Sequence, residues 1–227
     1  MLLLDPEAGT DEETKLDPDV WPIYQWEDMA DVLGFLKTNP VSPVTKRPYR
    51  WVAVDGLTRI TNMSLRWVMR QAEERDLSRQ PGQVGKQDYG KSGQMVQAML
   101  HEFHALPQSI IYTAQERMIT LDGETGDEAD DDAENVATIY VPDLPKGARG
   151  AVNAIVSVIG RLYVVNAMQR VRVNGTIEER EMPQRRLWIG PHVSYDTGYR
   201  SKHTLPDYVP NPTIPKLDKL ISEGKTK

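Results

Sequence analysis

Cysteine is absent from this chain of 227 residues, and no apolar run approaches the length that crosses a membrane. The first absence excludes a disulfide framework, a thiol nucleophile and a zinc site built on thiolates. The second excludes a membrane-spanning helix, which needs about 20 apolar residues. The opening residues lack the regions of a secretory signal peptide, so we expect a cytoplasmic location and no membrane partner.

The net charge of -6 hides a strong asymmetry. Residues 1–20 hold seven acidic residues and one basic residue, and residues 122–134 hold eight acidic residues and no basic one. Residues 146–227 hold 14 basic and seven acidic residues. A basic body with two acidic segments is compatible with nucleic-acid binding, and an ordinary mixed surface fits the charge equally well.

Apolar patterns predict an α/β fold in which short buried strands alternate with helices. Predicted strands cover 2–4, 51–54 and 109–113, and predicted helices cover 26–38, 60–76, 92–106 and 148–157. Apolar runs of this kind are typical of a mostly parallel central sheet with crossover helices. Three later strands, at 158–165, 168–173 and 186–189, are expected to extend that sheet as antiparallel neighbours, with a turn near Asn174-Gly175.

The pattern predicts one core and one tail. Residues 1–205 are assigned to the core, in which 77–91 reads as a polar loop and 118–147 as a mobile acidic loop. Residues 206–227 contain four prolines and are expected to form an extended, peripheral tail with a short final helix.

Polar residues follow three of the predicted parallel strands, as Glu7, Asp55 and Gln115. Ligands bind beyond the carboxyl ends of such strands. An Asp at a strand end can hold Mg²⁺ through water, a Glu can polarise an attacking water, and a Gln can bond a γ-phosphate. The alternatives are a helix cap, a solvated charge and a side chain that satisfies loop backbone.

Six segments together resemble the RecA-like core ATPases, in particular the phage-encoded AAA/RecA-like proteins of the Sak single-strand-annealing group. They are LLLDPEAG (2–9), WVAVDGLTRI (51–60), SIIYTAQER (109–117), GARGAVNAIVSVIGRLYV (147–164), RRLWIGPHVSYDTGYRS (185–201) and LPDYVPNP (205–212). The resemblance implies that Asp55 is the Walker B aspartate, that Glu7 activates water and that Gln115 couples the γ-phosphate to DNA.

The same resemblance implies ATP and Mg²⁺ as cofactors of the complete protein. It implies a function in DNA recombination, by annealing or pairing single-stranded DNA, and a homo-oligomer in the form of a ring or filament. A single-strand DNA-binding protein is a further expected partner, and a phage-encoded chain would work in the host cytoplasm.

Two groups of basic residues are candidates for contacts with DNA or with a neighbouring subunit. Loops 77–91 and 117–149 are expected to face DNA through Lys86, Lys91, Lys146 and Arg149, and solvated surface charge is the alternative. Candidates for a basic residue that reaches across a subunit interface are Arg185, Arg186, Arg200 and Lys202.

RecA-like cores place a strand, G-x-x-x-x-G-K-[ST] and a helix ahead of the strand that opens this chain. We therefore expect a P-loop NTPase core without that first unit. Gly85–Ser92 fits the motif letter by letter but follows no buried strand, so a chance match and a phosphate loop stay open. The alternatives to an ATPase are a non-catalytic DNA-binding or assembly module and a small-substrate kinase.

Overall fold

The computed structural model describes residues 1–7, 19–122, 136–173 and 176–224. Its contacts divide the chain into two compact units, one formed by residues 1–117 with 142–155 and the other by residues 118–141 with 156–227. This division differs from the predicted boundary at residue 205. None of the described helices has the length and apolar composition that crossing a bilayer requires.

A parallel sheet of four strands forms the centre of the first unit. Its strands are β1 (Leu2–Asp5), β2 (Asp19–Pro22), β3 (Trp51–Asp55) and β4 (Ser109–Thr113), in the order β2-β1-β3-β4. Leu4, Val52 and Val54 are fully buried, as expected for strands covered on both faces. The predicted parallel sheet is confirmed, and β2 is an addition that the sequence did not indicate.

Four helices pack in the described part of this unit: α1 (Asp28–Lys37), α2 (Leu57–Arg75), α3 (Lys86–His104) and α4 (Lys146–Ile155). Each presents an apolar stripe to the core, such as Met29, Val32 and Leu36 of α1. α3 begins six residues earlier than predicted. The predicted loop 77–91 is therefore wrong in its last six residues, 86–91, which are helical.

Most of β5 (Glu116–Asp122) and β6 (Val136–Pro142) belongs to the second unit. This unit also contains β7 (Val158–Ile159), β8 (Arg161–Val173), β9 (Thr176–Trp188), β10 (Gly198–Tyr199), β11 (Tyr208–Pro210) and α5 (Ile214–Glu223). β8 and β9 pair antiparallel over 13 residues each, with β11 alongside β9. These strands form sheets of their own, so the prediction that they extend the parallel sheet is wrong. The predicted turn at Asn174-Gly175 lies outside the described residues.

Two segments predicted as loop or tail contain regular structure. β5 and β6 form a two-stranded sheet within the predicted loop 118–147, whose acidic residues 123–135 lie outside the described part of the chain. The tail is packed rather than peripheral, because Val209 and Leu220 are buried with Ile189 and Leu205. α5 begins at a Thr213 hydroxyl that accepts the Lys216 N–H.

Candidate functional site

The carboxyl ends of β1, β3 and β4 lie along one edge of the sheet, because the three strands are parallel neighbours. At this edge Glu7 and Gln115 line one open hollow of about 330 Å³. Thr58, Arg59 and Asn62 of α2 complete its lining. The structure thus brings together two of the three predicted residues, one from the end of β1 and one from the end of β4.

Glu7 is held by its own backbone and by a close approach to Gly56. Its N–H donates a 3.0 Å hydrogen bond to Oδ1 of Asp5, which is only 5% exposed. A Cβ on Gly56 would lie 3.1 Å from Glu7 Oε1, and the backbone of Gly56 has a φ of 120°. The carboxylate of Glu7 therefore lies against the residue that directly follows Asp55.

Asp55 ends β3 beside the hollow and is not one of the residues that line it. Thr113, its register partner on β4, donates a 2.6 Å hydrogen bond from its hydroxyl to Asp55 Oδ1. The side chain of Asp55 is exposed. An oriented and solvated carboxylate suits a cation that keeps several of its waters, as Mg²⁺ does.

The backbone of Gln115 is fixed on both sides. Its N–H donates to the Thr58 hydroxyl at 3.1 Å, and its carbonyl accepts from the N–H of Asp143 at 2.7 Å. The side-chain amide remains at the hollow, where it offers two donors and an acceptor. This amide can bond a phosphate oxygen that enters the hollow.

Arg59 and Asn62 were missed by the sequence analysis. They lie three residues apart on the first two turns of α2, one helical face that the strand-end argument did not include. Arg59 is half-buried and contributes a positively charged side chain to the lining of the hollow. The sequence pattern that could have indicated them is a pair of polar residues at positions i and i+3, shortly after Asp55-Gly56.

ATP with Mg²⁺ fits part of this arrangement. Carboxylates, an amide and a guanidinium are suited to a hydrated cation, an attacking water and a phosphate oxygen. In the described part of the chain no three His, Asp or Glu side chains form a metal-binding group. The remaining requirement is a cradle of backbone N–H groups for the phosphates.

Gly85–Ser92 does not provide that cradle, because α3 begins at Lys86. Asp88, which is 2% exposed, accepts the Gly85 N–H at 2.7 Å and is also paired with Arg79. The Arg79 guanidinium and the Gly85 N–H together hold the pKa of Asp88 below its ordinary value. The motif match is therefore the capped start of a helix, and the phosphate-loop interpretation is wrong.

The four predicted DNA contacts lie on two helices that pack together. Lys86 and Lys91 are exposed on the first turns of α3, and Lys146 is exposed at the start of α4, where Arg149 is half-buried. α4 approaches α3 at Gly147, where a Cβ would lie 2.8 Å from Gln97 Nε2. These residues belong to helices and not to the two loops that the sequence analysis predicted.

The predicted residues for contact across a subunit interface all belong to the second unit. Arg185 is exposed on β9, opposite Val164 of β8. The Arg186 guanidinium lies 4.6 Å from the centre of the Tyr208 ring. Arg200 and Lys202 are exposed beyond β10. Their contact with a second subunit stays a prediction.

A family model described as an AAA domain matches residues 1–201. That range covers the parallel sheet, the hollow at its carboxyl edge and most of the second unit. No curated protein and no solved structure matches the chain.

Proposed function

Because the chain belongs to the AAA domain family, we propose that it is part of an ATPase that binds and hydrolyses ATP with Mg²⁺ at the edge of its parallel sheet. The observation that carries this proposal is the shared hollow lined by Glu7 from the end of β1 and Gln115 from the end of β4. The hydrogen-bonded carboxylate of Asp55 lies on the strand between them.

Three side chains have separate tasks in this proposal. Glu7 accepts a proton from the water that attacks the γ-phosphorus, as the bond to the bridging oxygen breaks and ADP leaves. Asp55 orients the hydrated cation, and Gln115 bonds a γ-phosphate oxygen. Bound Mg²⁺ supplies neutralisation of the phosphate charge. Arg59 adds a second positive charge at the hollow.

We further propose that the ATPase acts on single-stranded DNA in recombination, by annealing or pairing strands as the Sak group of phage proteins does. The support is the exposure of Lys86, Lys91 and Lys146 on two packed helices of the unit that holds the hollow. Lysines bind phosphate without sequence information, which suits a protein that must accept any strand.

ATP hydrolysis measured with and without single-stranded DNA tests both parts of this function. The native full-length protein is expected to hydrolyse ATP only with Mg²⁺ and to bind an oligonucleotide with a strong salt dependence. Hydrolysis without DNA binding would support the proposed ATPase activity and contradict the proposed role in recombination. An absence of Mg²⁺-dependent hydrolysis, with or without DNA, would contradict the ATPase.

A homo-oligomer is also proposed, supported by an exposed apolar stripe on β8. Leu162, Val164 and Met168 share one face of the β8–β9 ribbon, and each is more than 60% exposed. Arg185 and Glu181 lie opposite Val164 and Met168 on that face, so it carries both signs of charge and can complement a second copy. Sedimentation of Val164→Glu against the parent tests this, with loss of the oligomer expected.

One observation favours a second candidate, a DNA-binding or assembly module that keeps the fold without hydrolysis. Gly85–Ser92, the sequence's one match to G-x-x-x-x-G-K-[ST], is helical from Lys86. A module of this kind would bind single-stranded DNA but not ATP. Calorimetric titration of ATP into the native full-length protein distinguishes the ATPase from this module. Saturable heat of ATP binding would contradict the module.

A further inference from the structure

We infer that the Thr58 hydroxyl couples the hollow to helix α4, so that the state of the bound nucleotide changes the affinity for single-stranded DNA. This inference rests on the proposed function and names the part of the fold that carries its regulation. Thr58 is 7% exposed, lines the hollow and lies on the first turn of α2. It is a positioning residue, since it acts through its neighbours and not on the reacting atoms.

The hydroxyl of Thr58 is engaged in two directions at once. It accepts the N–H of Gln115 at 3.1 Å and donates its proton to the carbonyl of Asp143 at 3.1 Å. A hydroxyl has only one proton, so no second donation is possible in this arrangement. A displacement of Gln115 must therefore change or break one of these bonds.

Gln115 and Asp143 are also joined directly. The Asp143 N–H donates to the Gln115 carbonyl at 2.7 Å. Together with the two bonds of Thr58, this closes a ring of three residues that are far apart in sequence. The ring lies around the buried Thr58 and reaches the exposed Gln115. A closed ring of hydrogen bonds has a preferred geometry, so its members shift together.

Asp143 leads directly into α4. Leu144, the next residue, is 2% exposed and anchors the connection in the core. The helix begins at Lys146, and the Arg149 N–H closes its first turn on the Pro145 carbonyl. A shift of Asp143 therefore reaches Lys146 within three residues.

The packing of α4 extends the effect to the other predicted DNA contacts. Ala148 is fully buried, and Gly147 lies close against Gln97 of α3. α3 carries Lys86 and Lys91 on its first turns. A γ-phosphate bonded by Gln115 would thus bias the position of both helices through one hydroxyl.

Thr58→Val tests this inference, because valine keeps the shape of threonine and lacks the hydroxyl. The measurement is the Kd of a fluorescent oligo-dT for the native full-length protein, with Mg²⁺ and either no nucleotide or a non-hydrolysable ATP analogue. We expect the analogue to change the parental Kd by about 5–150-fold. In Thr58→Val this ratio should fall to about 1, and in Thr58→Ser it should persist.

Thr61→Val is the matched control. Thr61 lies on the same helix and is 6% exposed, and its hydroxyl donates to the Leu57 carbonyl of its own helix, at 3.0 Å. We expect this variant to keep the parental ratio. Urea unfolding of all variants shows whether a loss of ratio merely follows a loss of stability.

The outcomes separate the inference from the function on which it rests. A Thr58→Val protein that binds both ligands and keeps the parental ratio would overturn the inference alone, as would a Thr61→Val protein that loses the ratio equally. A parental protein that binds no nucleotide or no DNA would overturn the proposed function, and the coupling with it.

Discussion

The hydroxyl of Thr113 donates a 2.6 Å hydrogen bond to Oδ1 of Asp55, across the parallel pair that β3 and β4 form. The bond fixes the direction of the second carboxylate oxygen. Partners of this kind typically change metal affinity or activity by about 10–100-fold when they are removed. Thr113→Val should therefore raise the Mg²⁺ concentration needed for half-maximal ATP hydrolysis by about 10-fold or more.

Thr113→Ser is the control for this prediction, since serine keeps the hydroxyl and loses one methyl group. It should need nearly the parental Mg²⁺ concentration. Equal Mg²⁺ dependence in the Val and Ser variants would show that the hydrogen bond does not orient Asp55 for a cation.

Glu7→Gln should lower ATP turnover by about 100-fold or more and leave ATP binding intact. The amide cannot accept the proton of the attacking water, and general bases contribute about 10²–10⁴-fold to rate. Steady-state turnover and calorimetric ATP affinity measure the two effects separately. Glu223→Gln on α5 makes the same chemical change at an exposed site. If the Glu7→Gln variant turned over ATP at the parental rate, the assignment of Glu7 as the general base would be contradicted.

Gly56→Ala should destabilise the protein by about 1–3 kcal/mol, because the backbone φ of 120° disfavours a side chain. The new methyl group would also lie 3.1 Å from Glu7 Oε1 and 3.2 Å from Pro6 Cγ. Gly34→Ala is the matched variant, inside α1 with nothing within 4 Å of its Cβ. It should stabilise by about 1 kcal/mol. Urea unfolding measures the stability of both variants. If Gly56→Ala were the more stable of the two, the conformation of Gly56 described above would be contradicted.

Asp88→Asn should destabilise the protein by about 1–2 kcal/mol at pH 7, through loss of the α3 cap and the contact with Arg79. The folded pKa of Asp88 lies below its ordinary value of 3.8, so its contribution is complete above that value. As pH falls through the folded pKa the carboxyl is protonated, and the contribution is lost. The gap between parent and variant in urea midpoint should shrink below about pH 4.

Lys86→Ala with Lys91→Ala should weaken binding to single-stranded DNA and flatten its salt dependence. Each lost phosphate contact lowers the slope of log K against log salt by about 0.7 for single strands. Two alanine substitutions at Lys216 and Lys219 of α5 remove the same charge at another place. A slope that changes equally in both double variants would indicate a general charge effect and no defined DNA surface on α3.

Much of the first unit was predictable because its strands share one sequence pattern, a short run of apolar residues. Trp51-Val52-Ala53-Val54 and Ser109–Thr113 are apolar runs of strand length, and the structure has strands in both places. Parallel neighbours necessarily end at one edge, which is why the strand-end rule led to Glu7 and Gln115. The same rule could not include Arg59 and Asn62, because they lie on the following helix.

The start of α3 was missed because Pro81, Gly82, Gly85 and Gly90 in a polar stretch indicate a loop by composition. A buried capping carboxylate, Asp88, overrides that tendency through contacts with Gly85 and Arg79. β2 was missed because it lies next to an acidic segment and depends on pairing with β1. The separate sheet of β8 and β9 depends on long-range pairing, which strand propensity does not encode.

A double-mutant cycle of ATP turnover for Asp55→Asn and Glu7→Gln tests most directly whether the strand-end residues serve one reaction. Residues that act as a unit have strongly non-additive effects on turnover. Each single substitution should lower kcat of the native full-length protein by about 100-fold or more, and the double variant should be scarcely slower than the slower single variant. Effects that multiply, or a double variant with parental kcat, would contradict a shared catalytic site at this hollow.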